Sequence, residues 1–262
     1  MTNPESILAT ENIYTESLKP VAARVLAILQ KDKITRFERM ELIHYIWIVH
    51  HHSTTDHNSK LDGLDSISTN TLHNDFCNQC RRDPAFICSK CYAGRDLKCY
   101  KATSDHNLIN AAILQNILFT RHELVAVNVT AANARIESFG EVENVTQARN
   151  YTRLIRATPQ TRWGIWTKRP GIWAEAFEAE GGKPRNCTFI LSSPRIDTPA
   201  EPAPSIADLV DHTFTVYSRA SVDAGTEINC GGRRCLDCIK ARKGCYYRTN
   251  SRNPYEIREM IK

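Results

Sequence analysis

Nine of the ten cysteines in this 262-residue chain fall into two groups, Cys77, Cys80, Cys88, Cys91 and Cys99, then Cys230, Cys235, Cys238 and Cys245. Thiolates at C-x2-C spacing turn onto one ion through a tight knuckle, and a loop of about seven residues returns a third or fourth ligand to it. The first group admits two ligand sets. Cys77, Cys80, Cys88 and Cys91 read C-x2-C-x7-C-x2-C, which would close a tetrahedral zinc site. Cys80, Cys88 and Cys91 alone read C-x7-C-x2-C, followed by Tyr92 and Ala93, and three thiolates leave one iron of a [4Fe–4S] cluster open to an outside ligand. The second group reads C-x4-C-x2-C-x6-C, with Gly231, Gly232 and Gly244 freeing the loop to wrap. Four thiolates there suit an auxiliary iron–sulfur cluster or a structural zinc. Arg233, Arg234, Lys240 and Arg242 alternate with them, as cations offsetting a tetrathiolate would.

The elements that must position these groups follow from patterning. Pro20 opens a helix in VAARVLAILQK, and Thr35 with Glu38 makes a capping box before FERMELIHYIWIVHH. In that second helix Phe37, Met40, Ile43, Ile46, Trp47 and Val49 leave little polar face, so it packs against the rest of the protein. From residue 65 short strands alternate with helices. The strands are SISTN, ARIESF, TRWGIWT, CTFILSS and HTFTVYS; the helices are DHNLINAAILQNILFTRHEL (capped by Ser104 or Asp105), ENVTQARNYTRLIRA, PGIWAEAFEAE and SIADLVD. Five strands with helix-bearing connections predict an α/β fold, a partial (β/α) barrel-like parallel sheet. An N-terminal helical region over 1–60 precedes this core over 61–220, and a C-terminal cysteine-rich, basic, metal-binding segment over 221–262 follows it.

Folds of this kind carry their chemistry at the C-terminal ends of the strands. The polar residues there are Ser68 and Thr69, then Ser138, Gly140 and Glu141, then Thr167, Lys168 and Arg169, then Ser192 and Ser193, and Ser218. The first cysteine loop follows the first strand of the series, so it faces that end. SPRIDTPAEPAP reads as a surface connection, and Cys187 as a buried apolar residue.

The net charge is +5, with no run of about 18 apolar residues and no basic-then-apolar leader in MTNPESILATENIYTESLKP. A cytoplasmic, reducing setting follows, with no membrane partner; clustered cysteines there mean metal or redox chemistry rather than disulfides. Basic residues gather near the C-terminus, where Lys243, Arg248, Arg252 and Arg258 join the four above around Tyr246 and Tyr247. Such a stretch holds phosphates and stacks on bases, or is a solvated tail or counter-charge to thiolates. His50, His51, His52 and His57 read either as metal ligands or as a solvated helix end.

The C-x7-C-x2-C-Y-A run, Ser138-Phe139-Gly140-Glu141, Ile165-Trp166-Thr167-Lys168 and the C-terminal cysteine set together resemble a phage and mobile-element family. This is the gene-product-88-like cysteine-rich family, similar in turn to divergent radical S-adenosylmethionine proteins. The resemblance spans residues 60–247 and leaves out the N-terminal helices. It implies a partial barrel in which Cys80, Cys88 and Cys91 hold a [4Fe–4S] cluster that binds S-adenosylmethionine. It also implies that Gly140-Glu141 stands where a Gly-Gly-Glu motif contacts the methionine amino group, with Ser138 and Tyr92 beside it and Lys168 meeting a carboxylate. The chain departs from the superfamily's C-x3-C-x2-C spacing, and Phe139 replaces the first glycine of that motif. Glu141 also reads as a first-turn helix acid, and Lys168 with Arg169 as a basic strand end.

Three functions are thus in competition. A radical S-adenosylmethionine-like enzyme would hold S-adenosylmethionine on the first cluster and a second iron–sulfur cluster or zinc at Cys230, Cys235, Cys238 and Cys245, with an electron donor and an unspecified substrate as partners. A zinc protein would staple loops onto an α/β core, with nucleic acid as its partner, and would need Cys77. An electron-transfer or sensing iron–sulfur protein would bind no S-adenosylmethionine. Cys77 and Cys99 are unassigned under the first reading.

Overall fold

A computed structural model describes residues 14–51, 60–231, 234–242, 244–247 and 254–261. Helix α1 (Lys19–Leu29) carries Pro20 in its first turn, and α2 (Arg36–Tyr45) opens on the expected capping box. The Thr35 hydroxyl accepts from the Glu38 N–H at 3.3 Å, and the Glu38 carboxylate accepts from the Thr35 N–H at 3.0 Å. The predicted run of α2 through the histidines is too long. The chain leaves the helix after Tyr45, and Val49–His50 becomes strand β1. The cause is tertiary: Asn110 accepts from the Trp47 N–H at 2.8 Å and donates to the Trp47 carbonyl at 2.9 Å. A β-branched run then favours the extended chain.

Strands β2 (Asp65–Ile67), β3 (Asn133–Ile136), β4 (Arg162–Thr167), β5 (Cys187–Ser192) and β6 (His212–Tyr217) are the five expected ones. Strand β7 (Tyr255–Met260) was not foreseen. The seven strands lie in chain order across one sheet; β1 is antiparallel to β2, and every other neighbouring pair is parallel.

Between β2 and β3 come α3 (Asp75–Arg81), α4 (Tyr92–Cys99), α5 (Lys101–Asn116) and α6 (Arg121–Leu124). Helix α7 (Val145–Ala157) joins β3 to β4, and α8 (Pro170–Ala179) joins β4 to β5. After β6 come α9 (Arg219–Asp223) and α10 (Cys235–Lys240). The predicted helix from Asp105 to Leu124 is two helices, and α5 begins earlier, at Lys101. Asn150 makes the break by donating to the carbonyls of Leu114 and Ile117 and accepting from the Phe119 N–H, and a Thr120–Glu123 capping box starts α6. SIADLVD is a 3-10 turn, Pro204–Leu209, rather than an α-helix.

Strand residues alternate between two unlike faces. Ala134, Ile136, Trp163, Ile165, Phe189 and Leu191 face a single large core shared with the helices. Val25 and Ile28 of α1 and Leu42 and Ile43 of α2 belong to it, so the N-terminal helices are part of the main body. The other face carries Ser66, Arg135, Gly164 and Thr188 in one register row, and Trp166 in the next. Over it lies a smaller cluster of Leu64, Cys235, Ile239 and Tyr246, with Trp166, Leu236 and Tyr247 packed against it.

That C-terminal segment reaches elements at both sides of the sheet. The Cys230 N–H donates to the Arg258 carbonyl of β7 at 3.0 Å, and the Cys235 N–H donates to the Lys60 carbonyl, ahead of β2, at 2.8 Å. The Lys60 ammonium then pairs with Glu259 of β7 at 2.7 Å. No helix among the described residues is long and apolar enough to cross a membrane.

Candidate functional site

The ends of β2, β3 and β4 are tied together by side chains. The Ser68 hydroxyl oxygen accepts from the N–H groups of Ser138 at 3.0 Å and Phe139 at 3.3 Å. Glu137, the first residue past β3, takes a left-handed backbone, φ +54°, uncommon outside glycine. Its buried carboxylate accepts from the Thr69 N–H at 2.9 Å, the Gln147 amide at 2.7 Å and the Tyr151 hydroxyl at 2.6 Å. Burial pushes the Glu137 carboxyl up to about 7, against the pull of those donors. Gly140 is required by this packing: a Cβ there would lie 2.6 Å from the Thr69 hydroxyl and 2.8 Å from the Thr69 carbonyl, and would run into the Glu137 carboxylate.

Glu141 is buried and joins β3 to β4. Its carboxylate accepts from the Thr167 hydroxyl and the Lys168 N–H, each at 2.7 Å, and from the Val142 N–H at 3.1 Å. Three of roughly four acceptor directions are thus used, and Glu141 fixes where Lys168 leaves the strand. Burial disfavours the Lys168 ammonium, but Cys88, Glu141, Cys77 and Cys91 outweigh it and hold the group above the usual lysine value. The Tyr92 hydroxyl donates to the Ser138 carbonyl at 3.1 Å, and its ring meets Phe139 edge-on. The Ser138 hydroxyl is buried and has no partner among the described residues. Tyr92 thus reaches the Ser138 backbone past β3, and Glu141 holds the Lys168 backbone past β4. Arg169 differs, because its guanidinium donates to the carbonyls of Val142 and Glu143 and acts as a brace.

The first cysteine loop roofs these strand ends. Helix α3 sets Cys77 and Cys80 on successive turns, both buried; Asn74 caps it and donates to the Glu141 carbonyl at 2.8 Å. Cys88 is buried in a 3-10 turn, Ile87–Lys90, and Cys91 precedes α4. The loop is sewn to the segment after β5, where the Ile87 N–H donates to Pro194 at 2.8 Å and the Ile196 N–H to Ala85 at 3.2 Å. Burial raises the thiols of Cys77, Cys80 and Cys88, the last to about 11, while Lys168 pulls each down. Cys99 is exposed at the end of α4, and Cys187 is buried at the start of β5 as expected.

In the second group Cys235 is buried, and Cys230, Cys238 and Cys245 are half-buried. Burial raises the thiols of Cys230, Cys235 and Cys245, the last to about 12; Lys60 is the nearest offsetting charge for Cys230, and Arg135 for Cys235. Both groups supply the right donor chemistry for a thiolate-bound metal. Among the described residues, however, no three His, Cys, Asp or Glu side chains are set closely enough to hold an ion. Metal at either group would need the thiols to draw together and lose their protons.

The other proposed ligands have different work. His50 faces Asp65 at 2.7 Å, and His51 faces the Ser66 hydroxyl at 2.8 Å, both in the β1–β2 pairing. His52 and His57 lie outside the described residues, as do Gly232, Arg233, Lys243, Arg248 and Arg252. Tyr246 is buried edge-on to Trp166, so it offers no open ring for a base. Glu137 was missed at the sequence level; its one signal is an acid directly after an apolar strand. A pocket of about 320 Å³ beside α6 and α7, lined by Arg121, Arg153 and Arg156, is remote from the cysteines in sequence, and its Arg153 is paired with Glu180 at 2.8 Å.

Fold and site together define an α/β protein with a mostly parallel sheet whose strand ends lie under a thiol-rich loop. No family model, no curated protein and no solved structure matches the chain.

Proposed function

We propose that the chain is a cytoplasmic iron–sulfur enzyme of the radical S-adenosylmethionine type, related to the gene-product-88-like proteins of phages and mobile elements, on a partial (β/α) barrel. The observation that carries this reading is the placement of Cys80, Cys88 and Cys91 over the ends of β2, β3 and β4, beside Lys168 and a Ser138 hydroxyl that has no partner among the described residues. The sequential strand order and the Lys60–Glu259 pair support a sheet that curls.

In this reading Cys80, Cys88 and Cys91 hold a [4Fe–4S] cluster. With S-adenosylmethionine bound, and an electron donor available, that group supplies one-electron chemistry leading to hydrogen abstraction from a substrate. Lys168 meets the carboxylate of S-adenosylmethionine, Ser138 donates a hydrogen bond to it, and Tyr92 closes the rim. Glu141 contributes chiefly by positioning Lys168, and offers its one remaining acceptor direction to an amino group. Cys230, Cys235, Cys238 and Cys245 hold a second cluster or a zinc ion.

One observation favours a second reading. Cys77 is buried in the same neighbourhood as Cys88, Lys168 and Glu141, where a four-thiolate structural zinc would need it. Metal and acid-labile sulfide analysis of protein purified without oxygen separates the two. Iron and sulfide, retained in a Cys77→Ser variant and lost in Cys88→Ser, are expected; colourless protein holding zinc that leaves with Cys77→Ser overturns the proposal.

A further inference from the structure

Helix α7 carries Arg149, Arg153 and Arg156 at i, i+4 and i+7, so the three share one face of the helix. Like charges so placed repel, and one acid is set among them. The Glu180 carboxylate accepts from the Arg149 Nε at 2.7 Å with one oxygen and from the Arg153 Nε at 2.8 Å with the other. Arg156, in the last turn, is left to a different partner. Its Nη2 donates to the Gly182 carbonyl at 2.7 Å, and its buried Nε has no hydrogen-bond partner among the described residues.

The pocket of about 320 Å³ beside α6 and α7 is lined by Thr120, Arg121, Arg153, Arg156 and Glu180. Three guanidinium groups thus border one space, against a single carboxylate that already holds two partners. Arg121, the first residue of α6, is exposed and makes no ion pair among the described residues. The other two are held in place. Arg153 donates to the Phe119 carbonyl at 2.5 Å, and Arg156 to Gly182, whose φ of +103° suits glycine alone. A Cβ at Gly181 or Gly182 would meet nothing within 4 Å, so space lies open around that turn. These bonds use only some of each guanidinium's N–H donors.

The lining also says what kind of anion fits. No apolar side chain borders the pocket, so nothing there rewards an organic body. The space exceeds that of one tetrahedral ion, and planar guanidinium forks match phosphoryl oxygens in pairs. We propose that this pocket binds a diphosphate group, free or carried by a nucleotide, held by Arg121, Arg153 and Arg156, with Glu180 keeping Arg153 in place. The site is distinct from the strand-end cysteines: α7 leaves the strand ends at Val145, and Arg156 lies roughly 16 Å further along the helix. Its occupancy does not depend on which metal the cysteines hold. The alternative is a structural role, with Arg156 bracing the turn after α8 and Arg121 serving only as a solvated charge.

Calorimetric titration of the full chain with inorganic pyrophosphate, orthophosphate, sulfate and adenosine diphosphate decides between them, with metal content measured on each sample. Pyrophosphate is expected to bind more tightly than orthophosphate or sulfate. Arg121→Gln and Arg156→Gln should each weaken it by about tenfold or more without changing metal content. Arg219→Gln, which removes an exposed arginine of α9, should leave it unchanged. Adenosine diphosphate binding at least as tightly as pyrophosphate assigns a nucleotide-borne group, and weaker binding assigns the free ion. Absence of pyrophosphate binding, equal binding by Arg121→Gln, or an equal loss in Arg219→Gln overturns the proposal. Arg121 is exposed, so its variant stays decisive if Arg156→Gln fails to fold. If the strand-end proposal fails because zinc replaces iron, these affinities are unaffected, which keeps the two failures distinguishable.

Discussion

In the first cysteine group the thiols lie over strand ends, beside a lysine whose backbone a buried glutamate holds, and the loop bearing them is stitched to neighbours by backbone hydrogen bonds. In the second, the thiols lie across a sheet face, and the anchors of Cys230 and Cys235 belong to elements almost 200 residues apart. Equal ligand types thus sit in unequal mechanical settings. Around the strand-end group, Glu137, Glu141 and Asn74 tie the neighbouring segments to one another by hydrogen bonds. The sheet-face group has little of its own to rely on: α10 is six residues long, and its cluster contains few apolar side chains. The lesson is that the same residue type and spacing can lie over strand ends in one part of a fold and bridge distant elements in another.

The sharpest way to break this contrast, on the proposal that both groups bind metal, is to strip that metal with a chelator. Hydrogen exchange is expected to rise steeply in β7 and around residues 60–64, with a loss of several kcal/mol, since metal bound only by the folded form contributes its binding energy to folding. The backbone of 137–142 should change little. Equal loosening of both regions would remove the distinction.

Next in size is Glu137. Its folded carboxyl is raised to about 7 by burial, so its contribution is full below the ordinary carboxylate value near 4.5 and is lost as pH rises through 7. Urea unfolding of Glu137→Gln against the parent should therefore move in the variant's favour by roughly 3 kcal/mol between pH 4.5 and pH 8. A flat difference would mean that the donors around Glu137 outweigh burial.

Gly140→Ala forces a methyl group against Thr69 and Glu137 and should cost about 2 kcal/mol by the same measurement. It should also lower metal content at the first group more than at the second. Lys60→Gln, which removes a partly exposed ion pair, should cost under about 1 kcal/mol and speed exchange at β7 alone.

Much of the scaffold could be read from the chain. The five central strands are short apolar or β-branched runs closed by polar residues; α8 starts at Pro170 as expected, and α7 starts two residues after the expected Glu143, behind an Asn144 cap. The cysteine groups were plain from spacing. Strand β7 was not, because Tyr255-Glu256-Ile257-Arg258-Glu259-Met260 alternates charge with apolar residues, as an edge strand half in water does. Strand β1 was hidden inside an apolar helix pattern until Asn110 claimed Trp47. Glu137 could not be foreseen from periodicity, since its left-handed backbone ends the alternation that periodicity relies on. Arg135 left a legible sign, a charge between Ala134 and Ile136 in mid-strand, whose meaning depended on knowing that the main core lies on one face and the C-terminal segment on the other.

The Lys60–Glu259 pair also bears on how the molecule is made. Glu259 leaves the ribosome 199 residues after Lys60, a lag of roughly 10–40 s at ordinary synthesis rates. The edge of β6 that β7 will cover stands unpaired for the last part of it, since Tyr255 follows Tyr217 by 38 residues, roughly 2–8 s, and closing the long loop back to Lys60 is slow compared with forming the local helices. The nascent chain is accordingly most vulnerable to edge-to-edge association late in its synthesis, and a chaperone that shields β6 would act just before the last parallel strand arrives.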